Sequence, residues 1–311
     1  MKKLNFIIKC GLALLLLSFY SCESWLNVTP SDRLSEEMLF NDREGFVKAL
    51  NGVYIELNTN ELYGRNLTAG ALDVMGQYYS VASSSHAFYN YGGLVYTGND
   101  EKALFDNMWQ KCYAVIACCN TIIEKCDENK AGLSPVWRGS IKGEALALRA
   151  MLHFDMLRLF GPLTSELDKE SIPYQTNSDQ TVTPLLSGSE VVGLILDDLK
   201  NAVGLLKDTD PYFVEEEFSD TDLNYRRFRM NYFAAKGLMA RVQLWGGDKE
   251  KAAATAKEVI AEGQAEGAEF FPFVTNSEAT SSNPDRVFYS EVLFGTYHSS
   301  REKLHEDLFA P

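Results

Sequence analysis

Basic charge is in short supply in this chain: 29 Lys plus Arg face 43 Asp plus Glu over 311 residues, a formal net charge of −14. A field of that sign repels phosphate backbones and anionic headgroups, which excludes nucleic acid as a partner. Also missing is an apolar run long enough to cross a bilayer, because the N-terminal run at residues 6–17 is short and broken by Lys9. Catalytic signatures are absent too. There is no Gly-x-Ser-x-Gly elbow, no His-Glu-x-x-His zinc helix, no phosphate-cradling glycine loop and no calcium loop. Carboxylates are plentiful, but nothing singles out a glycosidase-like pair about 5–10 Å apart. The expectation is a protein that is not an enzyme and uses neither cofactor nor metal.

Cysteine is sparse outside one stretch. Cys10 lies in the N-terminal run, Cys22 follows it, and Cys112, Cys118, Cys119 and Cys126 crowd together. On a helix, Cys112, Cys119 and Cys126 fall about 10 Å apart in succession, beyond a disulfide or a shared zinc. All four read as small buried hydrophobes.

What is present begins with a leader. Lys2 and Lys3 precede the apolar run, which ends near Ser21 and Cys22, the anatomy of a secretory signal. A cysteine directly after a small residue resembles the bacterial lipobox, whose thiol takes a diacylglyceryl group and becomes the mature N-terminus. The alternative is an ordinary leader with a coincidental cysteine, which the bulk of Tyr20 favours. On the first reading, residues 1–21 are the signal peptide, residues 22–40 a lipidated tether and residues 41–311 a helical domain. Cys22 is then the lipid anchor.

From Asn41 the hydrophobic spacing is helical. Asn41 and Glu44 have capping-box spacing, and Phe46, Leu50, Val53 and Leu57 share one face. Residues 58–100 lose the period and read as loops. A second helix carries Phe105, Trp109, Cys112, Ile116, Cys119, Ile123 and Cys126, with steps of four and three. A third follows Pro135, is apolar almost all round at residues 145–159, and stops at Gly161 and Pro162. After a Pro-rich loop at residues 162–188, Ser187 and Glu190 cap a helix striped by Val192, Ile195, Leu199, Val203 and Leu206. Beyond the acidic loop at Glu215, Glu216 and Glu217, a helix bears Ala234, Leu238, Val242 and Trp245. Gly246 and Gly247 break it, and Asp248 caps the next. Residues 287–294 read as an extended element. The fold expected is all-α, a tetratricopeptide-like scaffold of helical hairpins with long irregular loops.

Several stretches now stand in a telling order: Cys22 after a leader, residues 109–120 (WQKCYAVIACCN), residues 143–161 (GEALALRAMLHFDMLRLFG), Ile172-Pro173-Tyr174, Asp197-Asp198-Leu199-Lys200, and residues 234–247 (AAKGLMARVQLWGG). Together they resemble the SusD/RagB family of outer-membrane nutrient-uptake lipoproteins of Bacteroidetes. The resemblance implies a non-catalytic, lipid-anchored protein at the cell surface. It would capture a glycan, or in some members a peptide, and sit as a lid on a SusC-like TonB-dependent transporter. A structural or adaptor lipoprotein is the reading from a different class. Family chains are considerably longer than this one, so the C-terminal part of the domain reads as incomplete.

Residues 78–96 supply what sugar recognition needs: flat rings for the C–H faces and polar groups at the rim for the hydroxyls. Tyr78, Tyr79, His86, Tyr89 and Tyr91, flanked by Asp73 and Asn99, are the candidate ligand contacts, and the resemblance places ligand contacts in the equivalent region. Each tyrosine admits a second reading, as a pin holding the loop to the helices beneath. Tyr297 and His298 are candidates for another wall. His153, inside the most apolar helix, reads as a satisfied core histidine.

Overall fold

The computed structural model describes residues 36–309 apart from 180, 266 and 267. The chain divides into two units, Met1–Leu39 and Phe40–Pro311. Of the first, only residues 36–39 are described, as the single helical turn Glu36–Leu39. Cys22 and the leader therefore lie outside the described residues.

Six long helices build the second unit: α1 (Arg43–Leu57), α2 (Asn99–Glu128), α3 (Pro135–Phe160), α4 (Gly188–Thr209), α5 (Tyr232–Trp245) and α6 (Lys249–Gly263). The described residues are mostly helical, with only short strands, so the scaffold is helical and tetratricopeptide-like. Two small antiparallel ladders complete it: β1 (Glu170–Pro173) pairs with β2 (Leu185–Ser187), and β3 (Gln264–Ala265) with β4 (Ala268–Glu269).

Local chemistry sets the helix ends. Ser187 and Glu190 form the expected capping box on α4, and Asp248 accepts from the Lys251 N–H at the start of α6. Ser134 caps α3, with Pro135 in the first turn where its missing N–H costs nothing. At α1 the cap sits one residue beyond the spacing read from the sequence. Asp42, not Asn41, turns its carboxylate onto the Gly45 N–H at 2.8 Å.

Helix α3 is the centre. Its residues from Ala145 to Ala150 are all buried, and it packs on α2 along one side and on α4 along another. The α3–α4 approach is close enough that a Cβ on Gly143 would lie 2.7 Å from Leu206 Cγ. Helices α5 and α6 form a hairpin across Gly246 and Gly247. Gly247 has φ +92, a left-handed conformation that other residues adopt only with strain. Along α4, Ile195, Leu199 and Leu206 are buried as expected, while Val191 and Ala202 take the deep positions expected of Val192 and Val203. Among the described residues no helix is long and apolar enough to cross a membrane.

Cys112, Cys119 and Cys126 are fully buried with free thiols, and burial holds each above the ordinary thiol pKa, Cys126 at about 12. They pack as neutral hydrophobes. Cys118 departs from the expectation: it is exposed, because it is one position off the buried stripe. Residues 287–294 also depart. Asp285 accepts from the N–H groups of Val287 (3.0 Å) and Tyr289 (2.7 Å), which winds the chain into a 3-10 turn, Tyr289–Glu291, instead of a strand.

Candidate functional site

The segment between α1 and α2 is a run of turns around two short helices, Ala71–Met75 and Tyr89–Gly92. It has a core of its own in Ala71, Val74, Phe88 and Tyr91. Two non-glycine residues inside it, Gln77 and Leu94, hold left-handed backbone at φ 60 and 54, a strain of about 1–2 kcal/mol each. Gln77 repays part of it by donating its side-chain amide to the carbonyls of Val74 (3.2 Å) and Gly92 (3.1 Å).

The structure separates the candidate contacts into three groups. Tyr78 is 82% exposed and Tyr89 43%, and Asn99 stands exposed as the first residue of α2. Asp73, Tyr79 and His86 are half-buried. Burial raises the Asp73 carboxyl above its usual pKa, the Tyr79 hydroxyl donates to the Ala69 carbonyl, and His86 Nδ1 accepts from the Phe88 N–H at 3.1 Å. Tyr91 is the correction. It is 2% exposed, with ring centroids of Phe88 and Phe105 within 6 Å, and burial pushes its phenol up to about 12. Its ring is packing, which leaves Tyr78 and Tyr89 as the exposed rings among the candidate tyrosines.

His153 is a satisfied core histidine. Nδ1–H donates to the Arg149 carbonyl at 2.9 Å and Nε2 accepts from the Gln175 N–H at 3.0 Å. His298 Nε2–H donates to the Gly64 carbonyl at 2.9 Å, which ties the 296–298 segment to the turn after α1.

Two buried charge networks tie α3 to distant segments of the chain, and no local sequence pattern announces either. Arg226, 1% exposed, holds both oxygens of Asp210 (3.0 and 2.6 Å) and one oxygen of Glu144. The second Glu144 oxygen accepts from Tyr54 at 2.7 Å and from Arg229 at 3.1 Å. Arg149 binds Asp198 through two 2.7 Å bonds, and Tyr174 donates to the same carboxylate at 2.6 Å. The available signal was Glu144 and Arg149 as charges in the most apolar stretch of α3, residues 143–152. These carboxylates are spent in ion pairs and held away from solvent. Among the described residues no group of three or more His, Cys, Asp or Glu could hold a metal ion. A cleft of about 500 Å³ is lined in part by Trp137, whose ring is already engaged by Arg43 at 4.7 Å and Phe218 at 4.5 Å.

Residues 24–244 match the profile of the SusD-like family, described as "Starch-binding associating with outer membrane". The chain is similar to SusD-like protein P2 of Formosa agariphila, at 25% identity over 83% of this chain and 46% of that one. Among solved structures it resembles a SusD-like carbohydrate binding protein of Bacteroides vulgatus, with 25% identity and a TM-score of 0.61 over 76% of this chain and 47% of that one. A laminarin binding SusD-like protein superposes with a TM-score of 0.59 at 19% identity, over 77% of this chain and 48% of that one. The chain thus spans about half the length of the relatives it matches. It belongs to the SusD-like family of non-catalytic binding proteins, whose description associates them with the outer membrane.

Proposed function

We propose that this protein is a lipid-anchored surface receptor that captures oligosaccharides on the loop between α1 and α2 and passes them to a SusC-like TonB-dependent transporter. The observation that carries the reading is the pair of exposed rings, Tyr78 and Tyr89, on a loop braced by its own core and edged by Asp73, His86 and Asn99. Open aromatic platforms with polar rims give modest affinity per sugar, roughly millimolar to micromolar, which suits capture followed by release. The carbohydrate-binding and laminarin-binding relatives support a glycan over a peptide as cargo.

Affinity electrophoresis of the purified protein through gels containing a panel of polysaccharides tests this. Tyr78→Ala and Tyr89→Ala are each expected to weaken retention about three- to tenfold, the worth of one stacking contact. Neither should move the thermal midpoint, since both side chains face solvent. Tyr91→Ala is expected to destabilise instead. Retention of every variant at wild-type strength would remove the loop from the ligand site.

The anchor is tested separately. Cys22→Ala is expected to shift the protein from the washed membrane fraction to the soluble fraction. A variant that still sediments with membranes is not held there by a lipid on Cys22.

A further inference from the structure

The loop between α1 and α2 is gripped from outside as well as by its own core, and the grip comes from a distant part of the sequence. The nine-residue helix Arg301–Phe309 places Leu304 and Leu308 four apart, on one face, and these two are the half-buried side chains of a helix otherwise open to solvent. Leu308 packs on the loop core of Ala71, Val74, Phe88 and Tyr91. The next residue, Phe309, sets its ring edge-on to Tyr79, with centroids 5.1 Å apart and planes at 66°. The segment is tied down again just before the helix starts. His298 donates to the Gly64 carbonyl at 2.9 Å and accepts from the Ser300 N–H at 3.2 Å. The helix thus lies as a strap, fastened to the turn after α1 at one end and to the loop core at the other.

What the strap grips decides what it can do. Tyr79 directly follows Gln77 and Tyr78 in the chain, and its hydroxyl on the Ala69 carbonyl draws residue 79 back onto the start of the loop core. Gln77, at φ 60, has a backbone conformation that persists only where the surroundings over-determine it. Tyr78 is 82% exposed, so its own ring does little to fix where it stands. Its position is inherited from its neighbours: from its N–H on the Asp73 carbonyl at 3.0 Å, from the Gln77 amide on Gly92, and from Tyr79 under Phe309. A loop shaped before ligand arrives loses less conformational freedom on binding, and affinity rises accordingly.

We propose that the helix Arg301–Phe309 is a positioning strap for the candidate ligand loop, with Leu308 and Phe309 as positioning residues that hold Tyr79, and with it Tyr78, in the arrangement that receives ligand. The proposal rests on the reading of this loop as the capture site and adds a determinant of affinity that acts through Tyr79.

The test compares the full chain with Leu308→Ala, Phe309→Ala and Phe309→Tyr, by amide hydrogen exchange and by electrophoresis through gels containing laminarin, xylan or galactomannan. Exchange across residues 71–92 is expected to be about three- to tenfold faster in both alanine variants, with exchange in α3 and the thermal midpoint unchanged, because the strap lies outside the helical core. Retention by whichever polymer retards wild type should weaken about three- to tenfold. Phe309→Tyr keeps a ring on Tyr79 and should match wild type in both readings. Loop exchange unchanged in both alanine variants overturns the strap, whatever the gels show. Faster exchange with retention at wild-type strength overturns the positioning role. A wild type retarded by none of the three polymers defeats the reading of the loop as a glycan site and the positioning role with it, while exchange, which needs no ligand, still decides whether the strap holds the loop.

Discussion

Arg226→Ala is expected to destabilise the fold by about 3–5 kcal/mol, because it strips the cation from two carboxylates that stay buried. Asp210 is 0% exposed and keeps only the N–H groups of Tyr212 (3.0 Å) and Tyr232 (2.8 Å) as partners. Glu144 keeps Tyr54 and Arg229. These residual bonds soften the loss without replacing the charge. For a unit of this size the corresponding fall in thermal midpoint is roughly 6–15 °C, read by circular dichroism. Arg226→Lys should fall between wild type and Ala, since an ammonium cannot present the planar fork that grips Asp210 while reaching Glu144. A midpoint for Arg226→Ala equal to wild type would mean that the two acids find other partners and that the network does not hold the fold together.

The location of that network explains what the sequence could and could not disclose. Helices α1 to α6 were legible because each buries a stripe, and a stripe repeats within the helix itself. The caps of α4 and α6 were legible for the same reason, Ser187 and Glu190 being three residues apart, whereas the cap of α1 sat one residue beyond its expected place. Arg226, in contrast, meets Glu144 across 82 residues of chain, and no local pattern announces a contact of that range. Tyr91 failed likewise. Its neighbours in sequence are polar and glycine-rich, and packing on Val74 and Phe88 within the loop and on Phe105 of α2 makes it a core residue. The contact of Phe309 with Tyr79 joins segments far apart in the chain, so its members appear in the sequence as unrelated aromatics. Residues 287–294 have the composition of a strand, but Asp285 offers the backbone a closer set of hydrogen bonds, and the turn wins. The buried stripes place the loops, and long-range packing decides which loop side chains remain free for a ligand.

The second large effect concerns acid. His153 is fully buried, and burial drives its pKa from 6.5 down to about 3. Its two hydrogen bonds require the neutral ring, with the proton on Nδ1 facing the Arg149 carbonyl. A second proton on Nε2 would point at the Gln175 N–H, donor against donor, beside the Arg149 guanidinium. The folded chain therefore refuses a proton that the unfolded chain accepts. Stability from this group is complete above pH 6.5 and drains as pH falls toward 3, by about 2–3 kcal/mol between pH 6.5 and 4.5. Carboxylates in ion pairs lose stability across an overlapping range, so wild type alone cannot assign the effect, but a comparison can. His153→Leu leaves the Gln175 N–H without its acceptor and is expected to be less stable than wild type at pH 7.5 by about 1–3 kcal/mol. Urea titrations at stepped pH should then show the two proteins converging as pH drops, because only wild type carries the refused proton. A gap of constant size down to pH 4.5 would assign the acid sensitivity to the carboxylates and clear His153 of it.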